Sequence, residues 1–424
     1  MSRRIAPDAL MLDQFVRPGD AIVWGQGTGE PTTLIESLIA QKAGLPGVSA
    51  FAASSFSGLL SPERMDGIAM RSMGAIGALR SLTKVGRLDV IPCHVGQVGR
   101  MIADDTLACD VAFVQVSPPD PDGNHSYGLI NDFTQDAVAK ARIVIAEVND
   151  QVPFTRCDSL LPGDAIDVLV EVSREPVSMA PAAISDDDRA IAAAAAAYID
   201  DGSVLQMGVG SVPDALMRIV ADRRDLGIHS GMLSDALVDL VEAGAVTNAR
   251  KPFDAGVSVT GALIGSRRLY DFAHRNDAIR LCSARYTHDA AVLASIAKLV
   301  TINSAVEIDL TGQVNAEGLG NSYIGGTGGQ VDYVRAGSRS PGGRSLIVLP
   351  ATAQGGKASR IVPSLQGPVT TARSEVDVVI TEFGVAELKG QPLAERGRRL
   401  VRIAHPDFRE RLDEAAHIVA SRGF

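Results

Sequence analysis

VLQMGVGSVPDALMRIVADRRDLGIHSGMLSD, residues 204–235, joins a strand, a glycine turn, a helix and a second strand in one run. Val204, Leu205 and Met207 read as a buried strand. Gly208, Val209 and Gly210 form a turn, followed by Ser211 and Val212. Pro213 stands near a helix start, where a missing N–H costs little. Ala215, Leu216, Ile219 and Val220 recur at helical spacing, and Gly227 is read as closing the helix. A second apolar segment brings Ile228, His229, Ser230, Gly231 and Met232 to the same sheet edge. The turn thus sets backbone N–H groups and the positive end of a helix dipole where an anion or an oxyanion can sit. A glycine pair after a strand also serves as a plain tight turn, so the pattern alone leaves both uses open. It is not a dinucleotide fingerprint, because Pro213 takes the third glycine position, and no Gly-Lys-Ser/Thr follows for a P-loop.

Working outward, the 424 residues suggest two or three domains at about 100–200 residues each. The composition, 46% hydrophobic and 21% charged, is that of a globular chain. Only 4% of residues are aromatic and the net charge is -10, which disfavours a stacking platform or a nonspecific grip on nucleic acid. Cys93, Cys109, Cys157 and Cys282 are scattered with no CxxC pair, so free thiols and no metal are expected. No apolar signal segment is read near the N-terminus, and Ala190–Ile199 is too short to span a bilayer. A cytoplasmic enzyme without membrane contact is the expectation.

In chain order, residues 1–18 are expected to form an approach helix. Strands are predicted at Asp20–Trp24, Asp89–Ile91, Val111–Val116, Ile143–Val148 and Asp167–Val172, separated by helices as in a parallel α/β layer. The turn cluster 117–123 ends a strand, a position that often carries function in such sheets. Arg174–Ser185 reads as a linker, and Ser185 followed by three aspartates caps an Ala-rich helix. A boundary is placed near 184, giving domains 1–184 and 185–424.

After it the pattern repeats. RPGDAIVWGQGTGEP (17–31) resembles DDGSVLQMGVGSVPD (200–214), and Gly19, Gly25 and Gly27 match Gly202, Gly208 and Gly210 at one offset of 183 residues. This points to two duplicated α/β halves with a cleft between their loop edges. Further strands are predicted at Ile279–Cys282, Val300–Ile302, Ser345–Leu349 and Val376–Thr381. The glycine-dense run 318–332, with Gly325, Gly326, Gly328 and Gly329, reads as a flexible hairpin or as backbone brought close to a ligand. Arg335, Arg339, Arg344, Lys357 and Arg360 are either phosphate partners or a solvated face.

Several runs resemble the acetyl-CoA hydrolase/transferase family: SPPDPDGNHSYG (117–128), VIAEVNDQVPFT (144–155), LQMGVGSVPDAL (205–216), DLGIHSGMLSD (225–235), INSAVEIDLTGQVNAE (302–317), IGGTGGQVDYVRA (324–336) and VVITEFGVAELKG (378–390). SRIVP (359–363) and AHPDFRE (404–410) extend the match, in order, over about residues 110–410. The resemblance implies two Rossmann-like CoA-transferase-type domains, coenzyme A as substrate rather than a resident cofactor, and an acyl-CoA with a small carboxylic acid as partners. A homodimer or higher homo-oligomer is expected. Gly208, Val209, Gly210, Ser211 and Val212 would hold CoA, with Gly325 and Gly329 along the pantetheine arm. The amide of Val209 or its neighbour would be one oxyanion donor and the backbone near Gly326 the other.

Family chemistry runs through a glutamate that forms a mixed anhydride and then a glutamyl-CoA thioester. The family motif places that glutamate where this chain has Gly231, in His229-Ser230-Gly231-Met232. Glu30, Asp235, Glu317 and Glu382 are the acids considered in its place, and His229 reads as a packed histidine. Three functions stay open: a CoA-transferase, an acyl-CoA hydrolase or related CoA-thioester lyase, and a non-catalytic CoA-binding protein. Whether acyl-CoA is consumed without an added acid separates them.

Overall fold

A computed structural model describes residues 2–320 and 322–422. The chain divides into two compact units, each discontinuous in sequence. The first comprises Met1–Ala180, Val259–Asp289 and Ser322–Gly328, the second Pro181–Ser258, Ala290–Asn321 and Gly329–Phe424.

The first unit is built on a parallel sheet in the order Arg3–Arg4, Val168–Val172, Ile143–Asn149, Val111–Val116, Ala21–Trp24, Ser49–Phe51, Ala69–Ser72, Leu88–Val90. Val111–Val116 is buried at every residue, as expected of a central strand covered on both faces. Helix Thr32–Gln41 sets Leu34, Ile35 and Leu38 against the core at helical spacing. Each such side chain contributes about 1.5–3 kcal/mol relative to exposure. The expected helix over residues 1–18 is absent. Arg3–Arg4 pairs with Val168 and Leu169 as an edge strand, and the rest forms two short 3₁₀ turns, Pro7–Ala9 and Leu12–Gln14. The ladder that Arg3 and Arg4 make with the sheet edge outweighs a weak local helical pattern there.

In the second unit the strand order runs Gly227–Ser230, Val204–Met207, Leu299–Ser304, Arg344–Val348, Val378–Thr381, Gly384–Glu387. The first five repeat, in order, the strands Ser49–Phe51, Ala21–Trp24, Val111–Val116, Ile143–Asn149 and Val168–Val172 of the first unit. Only the edges differ: Gly384–Glu387 is antiparallel to its neighbour, whereas Arg3–Arg4 is parallel. Segment 17–31 is a strand and turn that run into helix Thr32–Gln41, and 200–214 a strand and turn that run into helix Ser211–Ile219. At the repeated offset, Gly27 and Gly210 both have positive φ, +56° and +133°.

Residues 173–185, within the stretch read as a linker, carry no regular structure. Helix Asp186–Ala196 opens with a full capping box, in which Ser185 Oγ accepts from Asp188 N–H at 3.1 Å and Asp188 accepts from Ser185 N–H at 2.9 Å. Ser185→Ala is expected to destabilise the chain by about 1 kcal/mol. Urea unfolding would measure it, and an unchanged midpoint would contradict the role of the cap.

Candidate functional site

Strand Val204–Met207 enters the turn fully buried, and helix Ser211–Ile219 leaves it. Gly208, Val209, Gly210 and Ser211 are half-buried and Val212 is buried. A Cβ placed on Gly208 or Gly210 would find no atom within 4 Å. Gly210 has φ +133° and ψ −177°, a region essentially reserved for glycine. Asp214 N–H donates to Gly210 O at 3.0 Å, and Pro213 has no N–H. The donors this helix end can offer a ligand are therefore the N–H groups of Val209 to Val212.

Gly227 does not close this helix. The helix ends at Ile219, a 3₁₀ turn covers Val220–Asp222, and Gly227 is the first residue of the next strand. A Cβ there would lie 2.9 Å from Lys251 Cγ, so close packing rather than capping asks for glycine.

Strand Gly227–Ser230 is held from two sides. Asn248 Oδ1 accepts from Ile228 N–H at 2.8 Å, and buried Lys251 Nζ donates to Ile228 O at 2.9 Å and to Val257 O at 2.8 Å. Toward the glycine turn, Ser230 Oγ donates to Met207 O at 2.9 Å and accepts from Met207 N–H at 3.3 Å. That clamp joins the residue before Gly231 to the residue before Gly208. In the sequence Ser230 is marked only by its place beside Gly231; its clamp on Met207 becomes visible in the fold. His229 is fully buried, edge-on to Phe253 with ring centroids 6.5 Å apart, as a packed histidine should be. Gly231 is half-buried at the strand end and is not among the glycines with positive φ.

Gly325 and Gly326 lie in the segment that belongs to the first unit. There Gly325 O accepts from Ala75 N–H at 2.7 Å, Gly326 bridges Gly74, and Gly328 O accepts from Val95 N–H at 2.9 Å. A Cβ on Gly326 would come within 3.1 Å of Gly74 Cα and Met73 O. This is close backbone approach, of the ribbon to its own unit. Gly329 lies in the second unit and precedes helix Gln330–Arg339. Gln330 fixes that helix start by donating to Ser304 O at 2.7 Å and accepting from Thr371 Oγ1 at 2.9 Å.

The repeated turn of the first unit, residues 25–30, is filled where that of the second is open. A Cβ on Gly29 would lie 2.6 Å from Ile130 Cγ1. Gln26 donates to the Asp132 carboxylate and accepts from Ser54 Oγ. Burial pushes the Asp132 carboxyl up to about 6, against the lowering effect of its hydrogen bonds with Gln26 and Phe133 N–H.

Of the four acids considered in place of the missing glutamate, Glu30, Glu317 and Glu382 accept structural hydrogen bonds. Glu30 is fully buried and accepts from Ser55 Oγ at 2.6 Å and from Phe56 and Ser57 N–H at 2.8 Å each. Burial raises its pKa, which disfavours the nucleophilic form. Glu317 is buried and accepts from Thr370 Oγ1 at 2.8 Å. Glu382 accepts from Ala351 N–H at 2.8 Å. Asp235 stands at the start of helix Ala236–Glu242 and raises the pKa of Asp214, whose carboxylate accepts from Ser234 Oγ at 3.0 Å and is further raised, chiefly, by burial.

The arginine run is largely structural. Arg344 pairs with Asp377 at 2.8 Å, Arg335 with Glu375 at 3.3 Å, and Arg360 donates to Thr352 O and Val306 O. Arg339 and Lys357 are exposed. In the turn cluster 117–123, Asp120 accepts from the N–H groups of Asp122 and Asn124, so its carboxylate serves the loop itself. Among the described residues no disulfide joins the cysteines. Among the described residues no group of three or more His, Cys, Asp and Glu could hold a metal, and no helix is long and apolar enough to cross a membrane.

Residues 9–181 match the model of the acetyl-CoA hydrolase/transferase N-terminal domain, and residues 265–416 that of its C-terminal domain. The chain is 39% identical over 395 residues, 92% of either chain, to 4-hydroxybutyrate coenzyme A transferase of Clostridium kluyveri. It is 34% identical to succinyl-CoA:cyclohexane-1-carboxylate CoA transferase of Geobacter metallireducens, over 95% of this chain and 92% of that one. The crystal structure of RipA from Yersinia pestis superposes with a TM-score of 0.92 at 31% identity, covering 99% of this chain and 97% of that one.

Proposed function

Since the chain belongs to the acetyl-CoA hydrolase/transferase family, we propose that it is a CoA-transferase that moves CoA between a short acyl-CoA and a carboxylic acid. The observation that carries this is the open glycine turn. In one repeated unit the turn is filled by Gln26, Ile130 and Asp132. In the other, the positions beyond Gly208 and Gly210 are empty and lead to a helix N-terminus. N–H donors from Val209 to Val212 suit the phosphates of CoA or the oxyanion of an attacked thioester. The proposal keeps Val209 and the backbone at Gly326 as oxyanion donors, and Gly325 and Gly329 beside the pantetheine arm. It also takes 1–184 and 185–424 as the two inherited halves, with family matches to 9–181 and 265–416 in support. A cytoplasmic homo-oligomer completes it, resting on the family likeness alone.

Acyl-CoA hydrolysis is the second reading, favoured by one observation, the glycine at 231. Acetyl-, butyryl- and succinyl-CoA, each with and without added acetate, butyrate or succinate, separate the two. The expected result is a new acyl-CoA formed only when an acid is added. Acid-independent loss of thioester, with oxygen taken from labelled water, would make the chain a hydrolase instead.

A further inference from the structure

We infer that the acceptor acid itself stands in for the missing side-chain carboxylate at position 231, so that CoA passes from donor to acceptor within one ternary complex and no CoA thioester forms on the protein. This rests on the transferase reading above and concerns how the transfer is made.

Three observations lead to it. Transfer of CoA between acids needs a carboxylate oxygen to attack the thioester, and Gly231 has no side chain to supply one. The position nevertheless keeps its mechanical support: the Ser230–Met207 clamp ties it to the glycine turn, and Asn248 and Lys251 pin the strand from outside. Meanwhile Glu30, Glu317 and Glu382 each accept structural hydrogen bonds, and Glu30 and Glu317 are also buried. Moving any of them to the reaction would leave N–H or O–H donors without their acceptor, which is costly where those donors are buried. The acceptor is the other carboxylate that the reaction itself supplies.

The chemistry closes without water, proton or electron transfer. A carboxylate oxygen of the acceptor attacks the donor thioester carbonyl. A C–O bond forms, the C–S bond breaks, and CoA leaves as thiolate, giving a mixed anhydride of the two acids. The thiolate then attacks the acceptor-derived carbonyl. A C–S bond forms, the C–O bond on that side breaks, and the donor acid departs keeping the oxygen it received from the acceptor. Both steps build negative charge on a carbonyl oxygen, which the backbone N–H groups of the open turn can receive. A free acid lacks the effective concentration of a tethered carboxylate, so a high acceptor KM is expected.

The path of oxygen tests it. Excess wild-type enzyme would be mixed with limiting acyl-CoA and doubly ¹⁸O-labelled acceptor, using the donor and acceptor pair that turns over. The donor acid released in this single turnover should carry one labelled oxygen, and initial rates with both substrates varied should give intersecting reciprocal plots. Gly231→Glu is the internal control: its first turnover should release unlabelled donor acid, because the oxygen comes from the new side chain. Unlabelled donor acid from the wild type, with a CoA adduct on Asp235, Glu317 or any other acid, would overturn the inference and leave the transferase reading standing. Label taken from water with no need for acceptor, or no acyl-CoA consumed with any acid, would overturn the transferase reading and the inference together.

Discussion

Gly210→Val should weaken CoA and acetyl-CoA binding on the order of a hundredfold or more while leaving the protein folded. At φ +133° and ψ −177° a side chain is strained by about 1–3 kcal/mol, and a β-branched one is the least tolerant. Apart from its chain neighbours, no atom lies within 4 Å of where the Cβ would go, so the new Cβ itself meets open space. Its effect is confined to two routes. The turn relaxes to relieve φ, which re-aims the N–H groups of Val209 to Val212, or the isopropyl group fills the approach to the helix N-terminus. Either route removes the proposed anion site. Total stabilities of about 5–15 kcal/mol absorb such strain without unfolding. Calorimetry with CoA and acetyl-CoA, beside a thermal melt, measures both effects. Gly210→Ala shares the strain with less bulk and should fall between wild type and valine. Wild-type affinity in Gly210→Val would remove the turn from the site, and no heat from the wild type at millimolar CoA would remove CoA itself.

Gly231→Glu should create a CoA thioester on residue 231 where the wild type forms none. The backbone there is not in the left-handed region, so a glutamate does not meet the backbone strain that a side chain at Gly210 would suffer. The oxyanion donors proposed above are backbone N–H groups, which the substitution leaves in place. The strand end is held by Ser230, Asn248 and Lys251, so the new Cα starts from a fixed position. Acyl-CoA without acceptor should then yield a protein adduct heavier by CoA, sensitive to borohydride reduction. Kinetics with both substrates should change from intersecting to parallel reciprocal plots. The size of the rate gain depends on fit, since an error of about 1 Å in placing the carboxylate costs about a hundredfold. A wild-type adduct on another acid would show that the nucleophile has moved elsewhere in the chain.

The sequence by itself determined those features that depend on neighbours within a few residues, or on the identity of one side chain. The apolar runs at 111–114 and 143–146 lie in strands because a parallel strand covered on both faces is rich in apolar residues. Ser185 caps its helix because its partner is Asp188, three residues on. The 183-residue repeat of glycines marked two strand–turn–helix units, and Gly231 lacks a carboxylate whatever the fold. Only the tertiary structure decided what distant segments contribute. The first residues become an edge strand because Val168 and Leu169 offer them a ladder. Gly227 is a strand residue crowded by Lys251, and Gly325 and Gly326 belong with Gly74 and Ala75. Two turns that read alike differ because Ile130 and Asp132, about a hundred residues downstream, fill one of them and nothing within 4 Å fills the positions beyond Gly208 and Gly210 in the other. Glu30, Glu317 and Glu382 look alike as acids in the chain, but donors supplied by their surroundings make each a structural acceptor. Hydrogen bonds and packing between segments remote in sequence leave no period to read, and here they separate the open turn from the filled one.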